Sequence, residues 1–243
     1  FLAKENQVLV IELNLRASRS FPFVSKVTGY NFVEIATKVM MGEKVEGEFK
    51  TLDLDYVAVK APQFSFNRIK GADPRLRVEM SSTGEVACFG GDLQEAYLKS
   101  LLATGFKMPE KGIFLSIGGK KNKLDLLIAV KKLANLGFKI FATENTHKFL
   151  KESGIKNTRV YKISENKHPT ILDLLKKEID LAINISQGGE EKGETDGYII
   201  RRNCIDLGVP LITNLQSAEL LVSALTSKKL EDLEIKSWDE YVS

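Results

Sequence analysis

The sequence predicts an α/β protein in which a C-terminal, doubly wound parallel sheet of five strands follows an incomplete α+β region. Two observations support this prediction. From Gly112 onward, short apolar runs alternate with segments whose apolar residues recur at helical spacing, and the connections are brief. The first hundred residues lack that alternation and contain no obvious closed sheet. Alternating strands and helices are typical of a parallel sheet that helices cover on both faces.

The strand–helix rhythm begins at Gly112–Ile117, a short apolar run that ends in two glycines. Residues 124–136 then carry apolar side chains at helical spacing, and Gly137 supplies a helix stop. The later strands are expected at 138–142, 159–163, 180–185 and 209–213, and the later helices at 145–152, 169–177, 197–207 and 215–225. We expect right-handed crossovers, with ligands bound where the carboxyl ends of the strands meet the following loops.

The first hundred residues predict strands at 8–13, 56–60 and 85–89 and helices at 32–41 and 92–104. Asp92 suits the N-cap of the second helix, and Gly105 suits its end. Residues 107–112 are the best candidate for a linker. We therefore predict two regions, residues 1–110 and residues 111–243, of which the first is the closing part of a larger domain.

Composition and charge restrict the classes of function. The 243 residues include 35 Lys and Arg against 32 Asp and Glu, a net charge of +3 with the two signs interleaved, which argues against nucleic-acid binding. No stretch approaches the roughly 18 apolar residues of a membrane helix. Cys88 and Cys204 are far apart in apolar runs, as expected for buried thiols in a reducing, cytoplasmic compartment. The chain begins at Phe1 without an initiator Met or a signal-peptide pattern, which suggests a piece of a longer protein.

A first candidate site lies near the start of the chain. On a strand, residues two apart share a face, so Glu12, Asn14 and Arg16 would line one surface. A carboxylate and an amide oxygen together suit a hard cation such as Mg²⁺. Arg16 could then contact phosphates, with Arg19 and Lys26 adding positive charge close by. The residues alone leave open the alternative of a half-buried strand with its polar face outward.

A second candidate site combines polar residues that follow four strands of the predicted parallel sheet. These residues are Ser116, Lys121, Lys123, Thr143, Thr146, Lys162, Asn184 and Ser186. Because the carboxyl ends of parallel strands meet at one rim, we expect these side chains to converge. Small hydroxyls at a helix N-terminus, with lysines nearby, favour a phosphate or the phosphate of a nucleotide. Taken alone, Thr143 would be an ordinary helix cap.

Other candidates are weaker. His147 and His168 have no cysteine or aspartate at zinc-ligand spacing, and neither has a nucleophile placed to suggest a catalytic triad. Gly118-Gly119 is not a P-loop, because no Gly-Lys-Ser/Thr follows. Arg201-Arg202 could reach a phosphate, but a solvated helix face or an ion pair with a neighbour is the commoner role.

Two segments carry a family resemblance. Ile11–Lys26 closely resembles a segment near the end of the second ATP-grasp half of the carbamoyl phosphate synthetase large subunit, the half that phosphorylates carbamate. Ser82–Val86 resembles a second signature of that half. From about Gly112 the chain is similar to the family's C-terminal allosteric domain, which has a methylglyoxal-synthase-like fold. The resemblance covers essentially the whole chain, and it makes the first region an incomplete ATP-grasp remnant.

The resemblance implies roles for residues of the first site. Glu12 and Asn14 match the pair that holds Mg²⁺ or Mn²⁺ against the ATP phosphates. Arg16 and Arg19 match the neighbouring arginines on the phosphate side. Because most of the ATP-grasp fold is absent, we expect no synthetase activity from this chain alone.

The resemblance also assigns the second site to the phosphate of a nucleotide effector. The matching residues are Thr143, Thr146, Lys162, Asn184 and Ser186, together with a lysine after the first strand, Lys123 or Lys121. Asp196 matches a position on the ribose side. The acetylglutamate-activated branch of the family has an aromatic residue in place of Lys162, so the lysine favours a nucleotide such as UMP or IMP.

The parent enzyme implied by the resemblance joins bicarbonate and glutamine-derived ammonia in two ATP-dependent phosphorylations and serves arginine or pyrimidine synthesis. A separate glutaminase subunit or a fused glutaminase domain would supply the ammonia, and the allosteric domain would mediate homo-oligomers. An alternative is a stand-alone methylglyoxal-synthase-like enzyme, which would need a carboxylate and a histidine in the rim. No histidine lies near the fourth loop, Ser186–Glu190, so we expect a pocket for sensing.

Overall fold

The computed structural model describes residues 2–13, 15–16, 18, 20–51, 53–75, 82–187 and 195–242. The chain clusters into two compact units, Phe1–Ala58 with Ile235–Ser243, and Val59–Glu234. The sequence predicted a division into residues 1–110 and residues 111–243, and that division stays a prediction.

The first unit begins with a short hairpin. Strands β1 (Leu2–Lys4) and β2 (Gln7–Leu9) pair antiparallel. Strand β2 ends at Leu9, whereas the sequence predicted a strand over 8–13. Helices α1 (Phe21–Thr28) and α2 (Phe32–Met40) follow. The first of these was not predicted, although Pro22 in its first turn and the left-handed Gly29 at its end are ordinary helix signals.

Hydrogen bonds hold the end of α1 within this unit. The indole Nε1 of Trp238 donates to the carbonyl of Lys26 over 2.7 Å. The hydroxyl of Tyr56 donates to the carbonyl of Val27. A helical turn at Asp239–Val242 follows Trp238 directly. The C-terminal residues therefore fasten the unit to which they belong.

The second unit contains a pair of strands, of which the first begins two residues earlier in the chain, a helix and a larger sheet. Strand β3 (Val57–Gln63) pairs with β4 (Gly84–Gly90), and helix α3 (Leu93–Ala103) follows. As predicted, Asp92 caps α3, and its carboxylate accepts the N–H of Glu95 over 2.9 Å. Helix α3 packs against β4 on one side.

The larger sheet alternates with helices through the rest of the unit. Its elements are β5 (Gly112–Ile117), α4 (Lys120–Asn135), β6 (Lys139–Thr143), α5 (Glu144–Glu152), β7 (Thr158–Val160), α6 (Ile171–Leu174), β8 (Leu181–Ile185), α7 (Asp196–Leu207), β9 (Leu211–Ile212) and α8 (Leu215–Ser227). The five strands are all parallel, in the order β7-β6-β5-β8-β9, which confirms the predicted fold class. No helix among the described residues has the length and apolar character needed to cross a membrane.

One predicted helix is much shorter in the structure. The sequence predicted a helix over 169–177, but α6 has only four residues. Leu175 has an extended ψ of 135°, and Lys176 has a φ of 64°. These angles end the helix and turn the chain, so that Leu175 pairs with Ile179 before β8 begins.

Helices cover the sheet on both faces, and alternation along the strands divides the apolar residues between two cores. Ile113, Leu115 and Ile117 of β5 join the larger core with α4, α5 and α8. Phe114 points the other way, into a smaller core with residues of α6 and α7, which we call the α7-side core. Burial on both faces explains why the strand sequences are almost continuously apolar.

The strand order changes direction at β5, where the chain continues to β6 on one edge and returns to β8 on the other. In open α/β sheets, ligands bind beside such a switch point. Here the loops that follow β5 and β8 meet, and the N–H of Gly118 donates to the carbonyl of Ile185 over 2.7 Å. This edge of the sheet, at the carboxyl ends of the strands, is called the rim below.

We predict that Asp180→Ala destabilises the protein by about 1–3 kcal/mol, because it removes the acceptor of three N–H groups at the start of β5. The Asp180 carboxylate accepts from the backbone of Glu110, Lys111 and Gly112 over 2.8, 2.9 and 3.1 Å. Chemical unfolding in urea measures the change. Asp125→Ala, an exposed aspartate on α4, is the control and is expected to change stability by less than about 0.5 kcal/mol. Equal effects of the two substitutions would contradict this role.

Candidate functional site

Three polar side chains form a row across the carboxyl ends of β6, β5 and β8. They are Thr143, Ser116 and Asn184. Ser116 and Asn184 are register partners across β5 and β8, and the hydroxyls of Thr143 and Ser116 are 3.5 Å apart. Each lies two residues after a member of the α7-side core, so all three project from the same face of the sheet. The sheet thus brings together side chains that are up to 68 positions apart in sequence.

The N-terminus of α5 lies beside this row. Thr143 occupies the N-cap position, but its side chain makes no capping bond, and its hydroxyl is directed at Ser116. Thr146, in the first turn of α5, is buried, and its Oγ1 accepts the N–H of Ile117 over 3.1 Å. The two predicted threonines therefore differ: Thr143 belongs to the row, whereas Thr146 fastens α5 to the end of β5.

Lys123 reaches the same helix terminus from α4. Its Nζ donates to the carbonyl of Asn145, in the first turn of α5, over 3.1 Å. Burial lowers the pKa of this lysine below its ordinary value. Lys121 is exposed at the start of α4. Of the two lysines that the sequence left open, Lys123 is therefore the one that lies against α5.

Lys162 and Asp196 come together at the other side of the rim. The Nζ of Lys162 is 3.2 Å from Oδ2 of Asp196, and the side chain of Lys162 remains half-exposed. Asp196 is the first residue of α7 and also accepts from the hydroxyl of Ser164. An anion that bound here would compete with Asp196 for the ammonium group of Lys162.

Asn184 and Ser186 both contact Arg201, which lies on α7 and is only 1% exposed. Its Nη1 donates to Oδ1 of Asn184 over 2.9 Å and to Oγ of Ser186 over 3.4 Å. Arg201, a residue of α7, thus holds two residues of the predicted phosphate site.

Asp73 holds Arg201 in turn. Its two carboxylate oxygens accept from Nε and Nη2 of Arg201 over 2.7 and 2.6 Å, a bidentate pair. Partial burial of Asp73 opposes ionisation, but hydrogen bonds and the charge of Arg201 outweigh it and lower the pKa of the carboxyl group. The carboxyl group of Asp73 is therefore ionised at neutral pH.

Sequence reasoning missed the importance of this pair. Of the two common roles that we considered for Arg201, the structure shows the ion pair, and the side chain is buried instead of solvated. A signal was available, since Arg201 lies between the buried residues Ile200 and Cys204 of the same helix. Asp73 lies in an irregular turn and carries no periodic signal.

The first candidate site is described only in part. Asn14 and Arg19 lie outside the described residues. Glu12 and Arg16 are exposed and follow the end of β2, so the alternation argument that placed them on one strand face does not apply. The carboxylate of Glu12 has the donor chemistry that Mg²⁺ prefers. Among the described residues, no group of three or more His, Cys, Asp and Glu could hold a metal ion, so Glu12 would need oxygen ligands from elsewhere.

Comparison with known families agrees with this architecture. Residues 125–213 match the MGS-like domain family. Residues 1–47 match the ATP-binding domain of the carbamoyl-phosphate synthase L chain. Thr143 and Asn184 of the row therefore lie within the part of the chain that matches an MGS-like domain, whereas Ser116 and Lys123 lie just before the matched residues.

Curated relatives extend the match along nearly the whole chain. It is 49% identical over 237 residues to the multifunctional protein URA2 of Saccharomyces cerevisiae, covering 93% of this chain and 11% of the relative. It is 46% identical over 253 residues to the mitochondrial carbamoyl-phosphate synthase (ammonia) of Homo sapiens, covering 99% of this chain and 17% of the relative. The chain is thus homologous to carbamoyl-phosphate synthases, which confirms the family resemblance, and it spans only 11–17% of the length of these relatives.

We predict that Gly118→Ala destabilises the protein by about 1–3 kcal/mol, because the rim has no room for an additional carbon atom at the switch point. A Cβ at Gly118 would lie 2.7 Å from the backbone nitrogen of Gln187. Gly84→Ala is the matched control, since a Cβ there meets nothing within 4 Å. Thermal unfolding of both variants provides the measurement. Equal melting temperatures would show that the two loops are not in close contact.

Proposed function

We propose that the rim binds the phosphate group of a nucleotide effector such as UMP or IMP. The observation that carries the proposal is the row of hydroxyl and amide groups on three neighbouring strand ends, with Lys123 on one side and Lys162 on the other. Ser186 extends the row beyond β8. Several convergent polar groups around a switch point are what phosphate binding requires.

The chemistry of the rim favours an anion over a cation. The N-terminus of α5 presents backbone N–H groups and the positive end of the helix dipole beside Thr143. Lys123 adds an ammonium group at that helix terminus. Thr146 keeps the helix terminus in position through its bond to β5. Asp196 then accounts for ribose recognition, because a carboxylate accepts hydrogen bonds from hydroxyl groups.

For the whole protein, we propose carbamoyl phosphate synthesis from bicarbonate and glutamine-derived ammonia, with two ATP-dependent phosphorylations. When bound, Mg²⁺ or Mn²⁺ would neutralise the charge of the ATP phosphates. Glu12 and Asn14 would supply oxygen ligands to it, and Arg16 and Arg19 would orient the phosphates. A glutaminase subunit or fused domain is the expected partner, the cytoplasm the expected compartment, and arginine or pyrimidine synthesis the expected use.

Within that protein, the rim would serve as a regulatory site. Binding of a nucleotide would bias the attached active site by a coupling free energy of typically about 1–3 kcal/mol. Homo-oligomers formed through this domain are part of the same proposal. The chain described here would bind the effector but lack synthetase activity, because it represents a small share of the length of its relatives.

We expect UMP to raise the melting temperature of the chain, because a ligand that binds only the folded state stabilises it. A tenfold excess over the dissociation constant corresponds to about 1.4 kcal/mol. The double variant Thr143→Ala, Lys162→Ala should lose this response. The matched double variant Lys156→Ala, Thr158→Ala changes exposed residues at the amino end of β7 and should keep it. An unchanged melting temperature at millimolar UMP and IMP would refute the effector site.

The same protein preparation tests the stand-alone alternative. Conversion of dihydroxyacetone phosphate to methylglyoxal would require an enzymatic role for the rim and would overturn the regulatory proposal. The histidines are engaged elsewhere: Nδ1 of His147 is 2.7 Å from Asn157, and Nδ1 of His168 is 2.7 Å from Asp173. We therefore expect no methylglyoxal.

In the full-length protein, Glu12→Ala should abolish carbamoyl phosphate formation while glutamine hydrolysis continues, because the change removes a metal ligand and leaves the glutaminase intact. Product formation and ammonia release are measured in parallel. Glu5→Ala, an exposed glutamate in the turn between β1 and β2, is the matched control and should retain synthesis. Normal synthesis by the Glu12 variant would refute the role assigned to that residue.

A further inference from the structure

We infer that Arg201 is a positioning residue for the rim site: it fixes Asn184 and Ser186 as hydrogen-bond donors toward the bound anion, and Asp73 holds Arg201 for this task. The inference rests on the proposed effector site and adds two residues to it. Arg201 lies on α7, and its contacts include the two polar side chains at the end of β8 and Asp73.

The donor and acceptor groups of the three side chains determine how Arg201 acts on Asn184 and Ser186. A guanidinium group has only donors, whereas an amide and a hydroxyl can each donate or accept. Because Nη1 of Arg201 donates to Oδ1 of Asn184, the amide must present its Nδ2 hydrogens elsewhere. The same Nη1 donates to Oγ of Ser186, which leaves the hydroxyl proton for another acceptor. Arg201 therefore converts two ambivalent side chains into donors, which is what a phosphate needs.

Burial prevents water from replacing the hydrogen bond between Arg201 and Asn184. Asn184 is 4% exposed and Arg201 is 1% exposed, so bulk water cannot replace the hydrogen bonds between them. Leaving a buried donor or acceptor without a partner is costly, so a flipped amide of Asn184 is strongly disfavoured while Arg201 is present. The orientation of Asn184 thus depends on a residue of α7.

Asp73 keeps the guanidinium plane in the required position. Its bidentate contact uses Nε and Nη2, which directs Nη1 at Asn184 and Ser186. The carboxylate also compensates the buried positive charge, which would otherwise be unfavourable. Arg201 consequently supplies orientation to the rim, whereas the lysines supply charge.

The turn that carries Asp73 is fastened to the same helix. Nη1 of Arg202 lies within 3.0–3.2 Å of three carbonyl oxygens of this turn, those of Phe66, Ile69 and Ala72. The hydroxyl of Tyr198 donates to the carbonyl of Gly71 over 2.9 Å. Neighbouring residues of α7 therefore fix the backbone on which Asp73 depends, and the pair with Arg201 is part of a rigid contact.

The test measures binding of UMP, and of inorganic phosphate separately, to the 243-residue chain by calorimetry. We expect Arg201→Met to lose affinity about tenfold or more, and Asp73→Asn to lose several-fold. Asp125→Asn is the matched control, because Asp125 is an exposed aspartate on α4 that is not among the rim residues named above, and it should leave affinity unchanged. Melting temperatures without ligand show which variants are folded, and Asp73→Asn, at a partly exposed side chain, decides the question if the Arg201 variants unfold.

Two comparisons separate positioning from a general structural role. In an Asn184→Ala, Ser186→Ala background, Arg201→Met should cause no further loss of affinity, whereas a structural role would give the same loss in both backgrounds. In the wild-type background, Arg201→Lys should bind better than Arg201→Gln, because lysine offers only donors and glutamine allows the amide of Asn184 to flip.

The outcomes distinguish the two levels of the proposal. If the wild-type chain binds neither UMP nor phosphate, the effector site is wrong and the positioning role falls with it. If the wild-type chain binds but folded Asp73→Asn and Arg201→Met variants bind equally well, the effector site stands and the positioning role is refuted. Additive losses in the double-mutant comparison would refute it as well.

Discussion

Strand β5 is paired on both edges and buried on both faces, and the arrangement of the second unit depends on it. Its neighbours β6 and β8 belong to the two halves of the doubly wound sheet. The switch point exists because β5 lies between them. Its alternating residues contribute to both cores. Ser116, near its carboxyl end, is consequently fixed between Thr143 and Asn184. The same strand pairing that stabilises the sheet therefore sets the spacing of the polar row.

The polar groups around the rim are of two kinds: lysines that carry positive charge, and neutral side chains that Arg201 orients. Lys123 donates to a backbone carbonyl and Lys162 pairs with a carboxylate, and in the proposed site an anion would compete with these partners. Asn184 is held tightly by a buried guanidinium whose charge Asp73 already compensates. In the proposed effector site, this division would attract phosphate without placing an uncompensated charge inside the domain, which would be costly in a low-dielectric interior.

The sequence predicted the fold class and the convergence of the strand ends well, because both follow from periodicity. Alternation located the strands, and parallel pairing then required Thr143 and Asn184 to lie at one edge. Periodicity could not show that the hydroxyl of Thr146 bonds to the backbone of β5, since this depends on how α5 packs. It also could not join Asp73 to Arg201, because no pattern links an irregular turn to a distant helix. The short α6 differs from its prediction for a similar reason: local angles at Leu175 and Lys176 override the helical spacing.

The distance in sequence between Asp73 and Arg201 has a consequence for synthesis of the chain on the ribosome. The two residues are 128 positions apart, which at typical translation rates corresponds to about 6 to 26 seconds. During that interval the turn at Asp73 has emerged, but the helix that fastens it does not yet exist. The hydrogen bonds that hold this turn to α7 therefore form only after α7 has been made. The proposed effector site would therefore be complete only after α7 has been made.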